Sequence, residues 1–142
     1  MYIVSRLRLV LFVGLLTALP AFGFGQRSVI EQVLNEQVEA FNQHDVARMA
    51  QNVSDDFVWY SVMSDSVTIE SSGRAAFTKA MTGYFSHYEN VKSTIQSTTI
   101  SGNKISFEEN VSWPEEDVIQ EQSALGVYEI KNGKITRAWY FY

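Results

Sequence analysis

Few side chains in this chain have the type and setting that chemistry on a small molecule requires, and Glu109 leads them. Glu108 and Glu109 are adjacent on an expected strand, so they face opposite sides and only one of them points inward. Glu109 shares a face with Val111 and Trp113. That setting predicts a carboxyl with a raised pKa, suited to proton transfer as a general base. Asp65, in a turn after the first expected strand, and Tyr140, on the last strand, complete the catalytic candidates. Gln37 lies beside the apolar stripe of the first helix, and Ser61 ends the first strand. The two histidines fit local roles: His44 sits in a turn between helices and His87 at a helix C-terminus, where the dipole favours it. Glu115, Glu116 and Asp117 diverge from one turn with no histidine nearby, which describes a solvated loop and not a metal site. There is no nucleophile–His–acid set, phosphate loop or zinc spacing, so no cofactor and no metal are expected.

The elements that position these residues follow from spacing. Ser28 and Glu31 make a capping-box pattern. Behind them Ile30, Val33, Leu34, Val38 and Phe41 recur at helical intervals, ending near Asn42. Asp45 can cap a short second helix from Val46 to about Asn52. Phe57 to Ser61 reads as a strand, Met63 to Ser66 as a turn, and Val67 to Glu70 as a short edge strand. A third helix, Arg74 to His87, carries the stripe Phe77, Ala80, Met81, Tyr84 and Phe85. Long strands follow over about Val91–Ile100, Lys104–Trp113 and Val118–Ile130, with turns at Ser101-Gly102-Asn103 and at Pro114 to Asp117. The chain closes on a hairpin. Asn132-Gly133 supplies the turn, because both residues tolerate positive φ. In its last strand Thr136, Ala138, Tyr140 and Tyr142 are expected on one face, and Arg137, Trp139 and Phe141 on the other. Helices first and antiparallel strands after is an α+β pattern.

Length and composition bound the rest. The 142 residues suit one domain, 46% hydrophobic, with nine Phe, seven Tyr and three Trp to wall a core or a pocket. Arg6 and Arg8 precede an apolar run from Leu9 to Leu19, followed by Pro20 and Ala21-Phe22-Gly23. That is the pattern of a secretory signal over residues 1–23, with cleavage as late as Gly25 allowed, leaving a domain over 26–142. The expected location is secreted or periplasmic. Without residues 1–25, nine basic residues face 16 acidic ones, a net charge of −7. Such a chain is a poor partner for nucleic acid or an anionic membrane surface. There is no cysteine, so packing holds the fold without disulfides.

The order of Ala40-Phe-Asn-Gln-His-Asp45, Asp55-Asp-Phe-Val-Trp59, Ser72-Gly-Arg-Ala-Ala-Phe77 and Lys131-Asn-Gly-Lys-Ile-Thr-Arg-Ala-Trp-Tyr140 resembles the SnoaL-like branch of the NTF2-like superfamily. The resemblance spans Ser28 to Tyr142. It implies a cone: about three N-terminal helices packed in a curved, mostly antiparallel sheet around a cavity. It does not imply an activity, since this fold hosts many. Ketosteroid isomerase chemistry needs a carboxylate base with a Tyr and a protonated Asp. The family's spacing puts Ser61, Gln37 and Gly126 at those places. The limonene-epoxide hydrolase set would end in an acid where this chain has Tyr140. What the resemblance implies here is a small apolar or amphipathic ligand in a cavity lined by Gln37, Trp59, Ser61, Met81, Tyr84, Trp113, Tyr128 and Tyr140. The alternative is an isomerase, cyclase, dehydratase or hydrolase with a cavity carboxylate as general base. Relatives pair through the convex side of the sheet, so a homodimer is expected.

Overall fold

The computed structural model describes residues 22–142. The signal read over residues 1–23 lies outside them, apart from Phe22 and Gly23. Three helices precede or interrupt six strands: α1 (Phe22–Asn42), α2 (Val46–Asn52), β1 (Val53–Met63), β2 (Ser66–Ser72), α3 (Arg74–His87), β3 (Lys92–Ser101), β4 (Lys104–Glu115), β5 (Val118–Lys131) and β6 (Lys134–Phe141). The strands form one curved sheet in the order β2-β1-β6-β5-β4-β3. Every pairing is antiparallel except β1 with β6. No helix among the described residues is long and apolar enough to cross a membrane.

The apolar stripe of α1 is what the spacing predicts: Ile30, Val33, Leu34 and Ala40 are buried against the sheet. Its start is different. The capping box at Ser28 does not form, because the helix runs on to Phe22 and Ser28 Oγ donates to the Gly25 carbonyl at 2.9 Å. A serine inside a helix satisfies its hydroxyl in this backward direction. The cap expected at Asp45 is present, its carboxylate accepting from Arg48 N at 3.0 Å.

The motifs that carry the family resemblance act as docking joints. Asn42, at the end of α1, accepts from Ser93 N at 2.7 Å through Oδ1 and donates to Ser93 O at 2.9 Å through Nδ2. His44 follows with φ of 55°, stacks on Phe85 and hydrogen-bonds the Val91 carbonyl at 2.9 Å. Together they fasten the helical layer to the free edge of β3. On the other side, Arg74 donates to Val53 O at 2.8 Å and pairs with Asp55 at 2.8 Å, while Gly73 N donates to Phe57 O at 2.7 Å. That joint seats the first turn of α3 on β1.

The terminal hairpin turns at Asn132 and Gly133, with φ of 52° and 71°, the twist two-residue hairpins prefer. Its strand carries a bulge that simple alternation misses. Glu129 pairs with Arg137 and Ile130 with Ile135, so Thr136 is an extra residue on β6. Ile135 and Ala138 are buried, and Thr136 leaves the inner row. Its hydroxyl donates to Glu129 Oε1 at 2.7 Å, and with Lys131 and Arg137 it holds that carboxyl down to about 2. The turn after β4 is also tighter than expected. Pro114 and Glu115 belong to β4, and the reversal falls at Glu116 (φ 53°) and Asp117. β3 begins opposite Ser112, so Pro114 has no β3 neighbour whose carbonyl needs an N–H.

Candidate functional site

Between the helices and the concave face of the sheet lies a cavity of about 170 Å³, open at one end. Phe41 and Gln37 of α1, Phe77, Met81 and Tyr84 of α3, and Phe57 and Trp59 of β1 wall it on one side. Glu109 and Val111 of β4, Ala124 and Tyr128 of β5, and Ala138 and Tyr140 of β6 close the other. The pleat explains the membership: Glu109 pairs with Ala124 and Tyr128 with Ala138, so these side chains share the inner face. Rings dominate. Trp59 meets Tyr140 edge-on at 6.2 Å, and Phe107, beneath the floor, meets Tyr128 at 4.8 Å.

Among the described residues Glu109 is the sole acidic residue lining the cavity, and no Lys, Arg or His lines it. It is 9% exposed. Burial pushes its carboxyl pKa up, because the charged form loses water. Two hydroxyls oppose that rise: Ser93, whose Oγ donates to Glu109 Oε1, and Tyr140 nearby. The Tyr140 hydroxyl also pairs with that of Tyr128 at 2.8 Å. Burial raises the phenols as well, Tyr84 to about 12 and Tyr128 and Tyr140 further. Gln37 is buried, its Oε1 accepting from Asn52 at 3.0 Å. Trp59 Nε1 is buried with no acceptor among the described residues.

The arrangement brings most of the expected residues together: Gln37, Trp59, Met81, Tyr84, Glu109, Tyr128 and Tyr140 all line the cavity. Three do not. Asp65 is exposed in the β1–β2 turn, because β1 extends past the cavity before reversing. Ser61 pairs with Tyr140 through the backbone but lies beyond the lining, toward Tyr142. Trp113 packs against Tyr88 at 5.4 Å, further along β4 than the cavity reaches. Other residues escape sequence reasoning. Gln122 and Ala124 reach the cavity only through the β4–β5 register, which depends on where the Glu116 turn falls. Ser93 reads as one small polar residue of an edge strand; only its pairing beside Glu109 reveals it.

The geometry has no room for the isomerase acid. Gly126 lies opposite Phe107, and a Cβ there would sit within 2.9 Å of that ring's Cδ2 and closer still to Cε2 and Cζ. The ring fills the place an acidic side chain would occupy. Among the described residues no cluster of three His, Asp or Glu is placed to hold a metal.

Comparison with known proteins bears on the family and the fold. The family model for the SnoaL-like domain matches residues 34–138. No curated protein matches the chain in sequence. Among solved structures, an uncharacterized cystatin-fold protein from Novosphingobium aromaticivorans is similar at 16% identity and TM-score 0.68, over 79% of this chain and 96% of its own. A hypothetical protein with a ketosteroid isomerase-like fold from Catenulispora acidiphila, solved in complex with trimethylamine, has 12% identity and TM-score 0.67, over 78% and 85%. An epoxide hydrolase of the LEH-like kind from M. tuberculosis has 16% identity and TM-score 0.65, over 80% and 82%. At these identities the likeness is one of fold.

Proposed function

The chain belongs to the SnoaL-like domain family, and we propose that it is an exported protein that binds a small apolar or amphipathic molecule in its aromatic cavity. The observation that carries this reading is the cavity itself: about 170 Å³, walled by rings, with its polar groups gathered around Glu109 and Tyr140. A closed apolar cavity of about 150 Å³ holds a benzene-sized molecule. A ligand, or the part of one that enters the cavity, of about single-ring size fits this volume, with one polar group directed at Glu109. The test is thermal-shift screening of single-ring alcohols, phenols, ketones and amines, with cyclohexanol as the reference probe. Binders should raise the melting temperature of the parent. They should have no effect on Ala124→Trp, in which the new ring fills the cavity. An unresponsive parent across the panel would overturn the reading.

A second reading rests on the state of Glu109. A buried carboxyl with a raised pKa, beside the Tyr140 hydroxyl, is equipped to move a proton on a bound ligand as general base. It makes the protein a small-molecule isomerase, cyclase, dehydratase or hydrolase of a kind different from ketosteroid isomerase. Turnover that survives in Glu109→Gln would refute it.

The convex face of the sheet supports a homodimer. Tyr60, Trp139 and Val127 lie in register across β1, β6 and β5, as do Val62, Phe141 and Leu125. Tyr60 stacks on Trp139 at 5.6 Å and 9°, and Phe141 and Leu125 are 39% and 44% exposed. Two apolar rows on one open face are the composition of a self-association surface. Light scattering should give twice the monomer mass, and Trp139→Glu should give the monomer. Export is tested by the N-terminus of the protein recovered outside the cytoplasm: Phe24 or Gln26 supports it, and a retained Met1 contradicts it.

A further inference from the structure

We propose that the cavity selects small organic amines in their protonated, ammonium form, with Glu109 as counter-ion and the surrounding rings as the cage. The inference rests on the small-ligand reading and names its chemical class. Among the described residues Glu109 is the one acid in the cavity wall, and no cationic side chain of that wall pairs with it. One carboxyl oxygen, Oε1, is taken by Ser93 Oγ. Beyond Ser93, the carboxyl has among the described residues only the neighbouring Tyr140 hydroxyl to hold it, and that hydroxyl is also paired with Tyr128, which leaves acceptor capacity on the carboxyl for a ligand N–H. Around it stand Trp59, Tyr84, Tyr128 and Tyr140.

A desolvated carboxylate inside an aromatic box is complementary to one kind of ligand above others. An ammonium supplies the missing charge to Glu109, and its methyl or methylene groups lie against ring faces, where the quadrupole attracts a cation. An anion finds no positive group there. A neutral molecule gains the apolar contact but leaves Glu109 to stay protonated. The acidic surface acts in the same direction at longer range, by concentrating cations near the mouth.

The charge balance gives a pH signature. Below the titration of Glu109 the carboxyl is neutral, so an ammonium binds only by displacing its proton to solvent. Affinity therefore rises with pH until Glu109 is ionised in the free protein, then levels off. The other groups facing Glu109 do not titrate in that range: Tyr84 of α3, Tyr128 of β5, and Tyr140 and Tyr142 at the end of the chain are phenols shifted upward by burial. Gln37 and Ser93 are neutral.

Three probes of one shape make the test: cyclohexylammonium, cyclohexanol and cyclohexanecarboxylate, titrated calorimetrically into the full chain. At pH 7.5 the ammonium should bind at least about tenfold more tightly than the alcohol, and the carboxylate should give no heat. Ammonium affinity should fall as pH is lowered from 7.5 to the ordinary glutamate value of 4.5, with proton release seen as a dependence on buffer ionisation enthalpy. Glu109→Gln keeps the volume of the site, and its folding is checked by its melting curve. In it the tenfold preference should vanish. Cyclohexanol binding as tightly as the ammonium at pH 7.5, or an ammonium affinity independent of pH, overturns the amine inference and leaves the small-ligand reading intact. Failure of all three probes overturns both.

Discussion

Gly126→Ala is expected to destabilise the protein by about 2–3 kcal/mol, the cost of overpacking a filled core, and to lower its melting temperature by about 10 °C. The backbone at Gly126 is ordinary; the demand for glycine is steric. Phe107 is 1% exposed and its ring lies across Gly126, where the new methyl group would stand. The ring cannot swing away freely, because Tyr128 meets it at 4.8 Å and Tyr140 at 6.1 Å. Any displacement is passed to the two phenols that form the polar floor of the cavity, so ligand affinity should fall together with stability. A double-mutant cycle isolates the cause. Phe107→Leu removes the ring atoms that meet the methyl group, so the cost of Gly126→Ala in that background should shrink by about 1–2 kcal/mol. Equal cost in both backgrounds would show that the clash is not the source.

Asn42→Ala is expected to cost about 3 kcal/mol in denaturant unfolding. The side chain serves both backbone polar groups of Ser93, a residue that is 2% exposed on an edge strand. Its loss leaves a buried N–H and a buried carbonyl without partners, at about 1–3 kcal/mol each. Lys92 Nζ also reaches the carbonyl of Asn42, so the end of α1 and the start of β3 loosen together. The consequence for the site is specific. Ser93 is the hydroxyl donor to Glu109, and a mobile Ser93 backbone weakens the bond that opposes the upward shift of that carboxyl. The carboxyl should then titrate at higher pH in Asn42→Ala than in the parent, as followed by its carbon chemical shift. Asn42→Asp retains the acceptor for Ser93 N–H and loses the donor, and its stability should lie between the two. A loss under 1 kcal/mol in Asn42→Ala would mean that solvent replaces the side chain.

Much of the scaffold was legible because its signals are local. The 3.6-residue stripe from Ile30 to Leu34, the Asp45 cap and the Asn132-Gly133 turn each depend on a few neighbouring residues, and each appears in the fold. Glu109 was legible because alternation along one strand sends one of two adjacent glutamates inward. What was missed depends on pairing between distant segments. Thr136 carries no mark of a bulge; the extra residue is set by the need to bury both Ile135 and Ala138. Gln122, Ala124 and Ser93 enter the site through register with β4. The Ser28 pattern misled because a capping box and a mid-helix serine followed by glutamate have the same sequence. Asp65 and Trp113 were placed on the right strands or turns, at the wrong distance from the cavity.

The three tryptophans provide the most direct measurement. Trp59 lines the cavity, Trp113 packs beside Tyr88 outside it, and Trp139 stacks on Tyr60 on the convex face. Each gives a separate indole N–H signal in a proton–nitrogen correlation spectrum. Titration with cyclohexanol should move the Trp59 signal, whose N–H is buried without an acceptor among the described residues, and leave those of Trp113 and Trp139 in place. A Trp59 signal that stays fixed at saturating cyclohexanol, or a response confined to Trp139, would contradict a ligand site inside the sheet.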